Sequence, residues 1–141
     1  MDGGERERRN MKPARIYPLE HQEQSRLMTW AAIKCREMPE LALLFAVPNG
    51  GLRNLRVAAK MKAEGLKAGV PDLVLPVARG GYHALYIEMK TVNNRPKNGG
   101  KGGVTPIQEW WHEKLIEQKN KVAVCYGSDE AIATIEQYLK N

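Results

Sequence analysis

Residues 69–90 read GVPDLVLPVARGGYHALYIEMK. Two apolar runs rich in Val, Leu, Ile and Tyr flank the tetrapeptide Arg79-Gly80-Gly81-Tyr82, so the stretch predicts a pair of β-strands over 70–77 and 83–90. Within those runs stand three charges, Asp72, Glu88 and Lys90. Charges on strands that should be buried are costly unless they are paired or hold a cation. Glu88 and Lys90 lie two residues apart and share a face in any register. Asp72 joins them only if the connection allows it. Positions 72 and 88 each lie eight residues from Gly80, so an odd-numbered loop sets them opposite one another on one face. A two-residue Gly-Gly loop would set them on opposite faces unless a bulge corrects the register. A three- or five-residue loop, or a bulge, is therefore expected.

The surrounding chain supplies helices. Residues 20–36 have helical spacing, with Leu27, Met28, Ala31, Ala32 and Cys35 as the apolar stripe. Positions 20, 24, 27 and 31 share a face, which aims Glu20 and Gln24 toward the same side; the alternative for Glu20 is a helix-start glutamate favoured by the macrodipole. Residues 43–47 predict a short strand, and Pro48-Asn49-Gly50-Gly51 a turn. A helix over 52–64, ended by Gly65, follows. Leu52, Leu55, Ala59 and Met61 or Lys62 give it an apolar side; Arg53, Arg56 and Lys60, joined by Lys67, give a basic one suited to a phosphate backbone or simply to solvent. Residues 93–103, NNRPKNGGKGG, predict a mobile polar loop without the G-x-x-x-x-G-K-[ST] order of a P-loop. Thr105-Pro106-Ile107-Gln108 reads as a helix start with Thr as cap, Pro at the first position and Gln three after the cap. That helix is expected to reach about Asn120 and to bury Ile107, Trp111 and Leu115, with Gln108 serving the cap and a site in different states. A core strand over 121–126 and a last helix from Ser128, with Ile132, Ile135 and Leu139 inward, complete an α/β chain with a mixed sheet. The passage from the second strand through a helix to 121–126 predicts a parallel crossover.

Composition narrows the partners. At 141 residues with a formal charge of +6, the chain suits one domain, 16–141, behind a polar basic arm, 1–15, and an anionic partner, nucleic acid before membrane surface. No apolar run approaches a bilayer span and no signal-peptide pattern opens the chain, so a cytoplasmic protein is expected. Cys35 and Cys125 lack ligand spacing, which argues for free thiols rather than zinc.

Hard oxygen donors select Mg²⁺ or Mn²⁺. Asp72 and Glu88 are the expected ligands, with the Met89 backbone carbonyl in reach and Glu20 as a direct or indirect carboxylate. Lys90 is placed to orient water or hold a phosphate, and Gln108 to hydrogen-bond either.

Asp72…Glu88-x-Lys90 with Pro71 before the aspartate resembles the PD-(D/E)XK nuclease motif. With Glu20 and Gln24, Pro48-Asn49-Gly50-Gly51 followed by Arg53, Gly65…Gly69-Val70-Pro71-Asp72-Leu73, Ile87-Glu88-Met89-Lys90, and Thr105-Pro106-Ile107-Gln108 with Trp111, the chain is similar to the virus-type replication–repair nuclease (VRR-NUC) domain from about residue 18 onward. That resemblance implies a restriction-endonuclease-like mixed sheet flanked by helices, and Mg²⁺- or Mn²⁺-dependent cleavage of DNA. It further implies a small phage or bacterial homodimer acting on branched DNA such as four-way junctions. By family position Asp72, Glu88 and Lys90 form the catalytic core, Glu20 is the helix carboxylate with Glu23 as its competitor, and Gln108 is the distal glutamine. Asn49, Arg53, Arg56, Lys60 and Lys67 are the DNA-binding candidates. Trp110, next to Trp111 on one helix, is a candidate interface residue or an ordinary half-exposed tryptophan. A non-catalytic DNA-binding module retaining the fold is the alternative. A third reading makes Glu88 and Lys90 a salt-bridged pair on an exposed strand face.

Overall fold

The connection at Gly80-Gly81 is a two-residue turn. In the computed structural model, which describes residues 17–48 and 55–141, Arg79 and Tyr82 exchange backbone hydrogen bonds of 3.2 and 2.8 Å. Gly80 and Gly81 take φ of +56° and +85°, the positive values that a type I′ hairpin turn requires and that glycine supplies without strain. The register is nevertheless corrected before the strands begin. Residues 76–78 separate Leu75 from Arg79, but only His83 and Ala84 separate Tyr82 from Leu85. The extra residue is absorbed at Pro76, where the Val77 N–H folds back to the Leu75 carbonyl at 2.9 Å. A three-residue turn of that kind suits the fixed φ of proline. The strands then pair Leu73 with Ile87, Val74 with Tyr86 and Leu75 with Leu85. Continued by one residue, this register sets Asp72 opposite Glu88.

The paired strands are shorter than expected, β2 being Leu73–Leu75 and β3 Leu85–Lys90. Pro71 and Pro76 bracket β2, and neither can donate to a ladder. The first strand, β1, is reduced to Phe45–Ala46 at the sheet edge, because a 3₁₀ turn over Pro39–Leu43 takes up the residues before it. β4, Lys121–Tyr126, runs parallel to β3, giving a mixed sheet in the order β1-β2-β3-β4. The helices among the described residues are α1 (Glu20–Lys34), α2 (Leu55–Ala63), α3 (Pro106–Glu117) and α4 (Ser128–Leu139).

Strand alternation divides the sheet into two faces. Leu73, Leu85, Ile87 and Met89 point into a core shared with Leu27 and Ala31 of α1 and with Ala131 and Ile135 of α4. Asp72, Glu88 and Lys90 belong to the opposite face, over which α3 lies. Ala32 is exposed on α1, while Ala131 and Tyr138 take buried positions on α4 that Ile132 and Leu139 only partly share.

The fold fixes where three further elements lie. No described residue of α2 is buried, and Leu55 at its start is 88% exposed. Its Ala58 and Lys62 border a surface groove rather than the core. α3 ends at Glu117 and buries no residue fully; Trp111 and Leu115 are half-buried, and Ile107 is 47% exposed. This helix lies over one sheet face and against residues 68–69, with its other side open to solvent. The polar loop over 93–103 is pinned rather than loose at its end: the Tyr126 hydroxyl donates to the Gly102 carbonyl at 3.0 Å, and Gly102 is buried. Burial pushes the Cys125 thiol up to about 11, against a smaller opposing effect from Thr134, in keeping with an inert core thiol.

Candidate active site

Asp72, Glu88 and Lys90 converge under α3 and are 6%, 1% and 7% exposed. That burial removes the reading of Glu88 and Lys90 as an ion pair on a solvated strand face. Asp72 Oδ2 accepts the Met89 N–H at 2.7 Å, tying the end of β2 to β3 where the ladder stops. The reason it stops is covalent: in the same register Pro71 falls opposite Met89 and has no N–H for the Met89 carbonyl. A hard acceptor is thereby left beside the two carboxylates.

Gln108 connects the group. The Thr105 hydroxyl accepts its N–H at 3.4 Å, and its Oε1 accepts the Thr105 N–H at 3.0 Å, which is the anticipated capping box. The same Oε1 also accepts from Lys90 Nζ at 3.0 Å, and Nε2 donates to Glu88 Oε1 at 2.9 Å. Capping and site contacts therefore coexist in one state. Lys90 Nζ stands 3.9 Å from Glu88 Oε1. His112, not singled out from the sequence, places Nε2 3.5 Å from Glu88 Oε2. It sits one helical turn beyond Gln108, so the four-residue spacing was its available signal.

The acidic groups carry the electrostatic mark of crowding. Burial pushes the Glu88 carboxyl above its ordinary value; the His112 contact opposes this, the Asp72 charge adds to it, and Lys90 pulls back. Glu20 keeps much surface in solvent, yet burial of its carboxyl and the charge of Asp72 also raise it, against Lys90. Its carboxyl therefore feels both charged ends of the site. Glu23 is committed elsewhere: it is buried, and its Oε2 accepts the Ser128 N–H at the start of α4. One carboxylate of α1 thus addresses the site and the other caps a helix.

These residues fit a hard divalent cation. The donors are carboxylate and carbonyl oxygens, and positive charge among them would offset the repulsion that raises Glu88 and Glu20. Among the described residues no three Asp, Glu, His or Cys side chains gather as a metal-binding group. Asp72, Glu88 and the Met89 carbonyl are the oxygen donors that would hold such a cation.

Gly69 places α3 over the site. It holds φ +88°, and a Cβ there would lie 2.9 Å from Ile107 Cγ1 and 3.0 Å from the Ile107 carbonyl carbon. Gly69→Ala is expected to cost roughly 1–3 kcal/mol through backbone strain alone, and to displace the start of α3 with Gln108. The melting temperature should fall; an unchanged melting temperature would show that the start of α3 does not depend on this contact.

Of the DNA-binding candidates, Arg56, Lys60 and Lys67 are exposed, on α2 or just after it. Asn49, Arg53, the turn over 49–51, the start of the helix at 52–54 and the arm over 1–15 lie outside the described residues.

A family model described as the VRR-NUC domain matches residues 6–129. A solved structure described as a VRR-NUC domain protein is similar at 32% identity and a TM-score of 0.70, over 89% of this chain and 91% of that one. No curated protein matches. No helix among the described residues is long and apolar enough to cross a membrane.

Proposed function

The chain belongs to the VRR-NUC domain family, and we propose that it is a Mg²⁺- or Mn²⁺-dependent endodeoxyribonuclease that hydrolyses phosphodiester bonds in branched DNA, four-way junctions included, as a homodimer. The observation that carries this reading is the buried convergence of Asp72, Glu88 and Lys90 on one sheet face, locked by Gln108. A pure phosphate binder gains nothing from two carboxylates in its groove, whereas a hydrolytic site needs them to hold a cation.

Asp72, Glu88 and the Met89 carbonyl would hold the metal, and Glu20 would act as a direct or indirect carboxylate from the first turn of α1. The bound cation would supply charge neutralisation at the transferring phosphate and make water more acidic. Lys90 supplies a point charge that the attacking water or a non-bridging phosphate oxygen can share. Gln108 is a positioning residue, since its amide is spent on Lys90, Glu88 and the helix cap. Arg56, Lys60 and Lys67 contact the DNA backbone, together with Arg53 and Asn49.

The test is a cleavage panel of blunt duplex, flap, splayed and four-way DNA in Mg²⁺, Mn²⁺ or EDTA, with light scattering to give the oligomeric state. The expected result is metal-dependent cutting, strongest on the four-way substrate, by a dimer. Binding that survives EDTA with no cleavage of any DNA would establish the non-catalytic module instead.

A further inference from the structure

Beside the site, α2 and α3 border a surface groove of about 670 Å³, in the range of small-ligand sites. Its walls include Lys62, Leu66, Lys67, Ile107, Trp110 and Trp111. Trp110 is 48% exposed. Trp111 is fixed by its Nε1–H, which donates to the Ala68 carbonyl at 3.0 Å. The two indoles meet edge to face at 90°, with centroids 5.3 Å apart, so at least one face of Trp110 is left uncovered by its neighbour. A large aromatic ring is thus held open in a concave, partly basic surface.

We propose that this groove receives an unpaired nucleobase of the DNA, stacked on Trp110, with Lys62 and Lys67 taking the flanking phosphates. The inference rests on the nuclease reading and adds how a branched substrate is told from a continuous duplex. Bases inside a duplex have their faces stacked on one another and offer none to an indole, whereas an unpaired base offers one. Charge decides against a purely apolar occupant, since the two lysines would be desolvated by a greasy partner but are satisfied by phosphate. The groove shares α3 with the site, on another side of that helix. Trp110 follows Gln108 by two residues on the same helix, about 3 Å along its axis, and Ala68 precedes Asp72 by four residues. A strand that unpairs near the cut phosphate would have to pass around α3 to reach it.

The experiment measures binding by anisotropy in EDTA, where the proposed chemistry is silent. The probes are a blunt duplex, the same duplex with a single-stranded thymidine tail, and that tail built from abasic residues. The wild-type chain should bind the thymidine tail roughly tenfold or more tightly than the blunt end, the worth of one stacked base. It should lose that preference on the abasic tail, a comparison that needs no variant. Trp110→Ala should abolish the preference and leave blunt-duplex binding unchanged, and Trp110→Phe should restore most of it. The thymidine tail should quench tryptophan fluorescence in the wild type but not in Trp110→Ala. Equal affinity for thymidine and abasic tails overturns the proposal. So does a preference that survives Trp110→Ala, as it would if that variant merely turned a dimer into monomers and so identified the groove as a subunit contact. Parallel cleavage with Mn²⁺ separates the two readings: cutting retained without a tail preference sinks the groove alone, and absence of cutting on every DNA sinks the nuclease.

Discussion

Lys90→Ala will lower cleavage of branched DNA by about 10²- to 10⁴-fold, the usual worth of a positioned proton-transfer or charge-stabilising group. The protein will remain folded. The ammonium of Lys90 meets Gln108 Oε1 at 3.0 Å and Glu88 Oε1 at 3.9 Å. After its removal Gln108 still accepts the Thr105 N–H and still donates to Glu88, so no buried amide is orphaned. What is lost is a loose ion pair and some apolar stem, a cost of about 1–2 kcal/mol and a few degrees in Tm. Because Asp72, Glu88 and the Met89 carbonyl are untouched, Mn²⁺ should still raise the melting temperature of the variant. Lys90→Arg should be nearly as inactive, since a planar fork does not replace a compact ammonium in a pocket already filled by Gln108. The measurements are cleavage rate and melting temperature with and without Mn²⁺. Full activity in Lys90→Ala would remove the proposed site, and wholesale unfolding would make Lys90 a structural residue.

Local rules carried most of the fold. The cap at Thr105-Pro106-Ile107-Gln108 was legible because its partners lie three residues apart, and β4 because a polar residue and a glycine bound its apolar run. The shared face of Glu88 and Lys90 followed from strand period alone. Asp72 was legible only conditionally. Its facing depends on whether one residue is lost between Leu75 and Arg79, and the fold back to Leu75 around Pro76 settles that. The division of labour on α1 was beyond local reading. Glu20 and Glu23 are separated by less than one turn, and only the packing of α4 decides that Glu23 caps Ser128 while Glu20 is left to the site. Helical periodicity likewise marked an apolar side on α2 and Ile107 on α3 but could not say whether they meet a core; Leu55 and Ile107 are exposed.

Asp72 separates stability from catalysis through two substitutions that differ by one acceptor. Asp72→Ala and Asp72→Asn should both be inactive, because each removes a carboxylate from the proposed cation site. In Asp72→Ala the buried Met89 N–H loses the oxygen it donates to at 2.7 Å, a cost of roughly 1–3 kcal/mol. Asparagine keeps an oxygen in that place, removes the charge and puts an NH2 donor where the second carboxylate oxygen stood. The charge is unfavourable in the metal-free protein, where it helps to raise both Glu88 and Glu20. A carboxyl whose folded pKa lies above its unfolded value contributes stability that is fully present below the unfolded pKa, near 4.5, and is lost as pH rises through the folded one. Wild type should therefore lose metal-free stability from this source between acid and neutral pH, and Asp72→Asn should lose less. The variant's melting temperature should match or exceed wild type at neutral pH, and the gap should narrow on acidification. Added Mn²⁺ should reverse the order, since a ligand at ten times its Kd stabilises by about 1.4 kcal/mol and the variant binds it more weakly. Thermal melts of both variants at several pH values, with and without Mn²⁺, check each step. If Asp72→Asn is destabilised as much as Asp72→Ala in the metal-free state, the carboxylate is held there by the fold itself rather than in readiness for a cation.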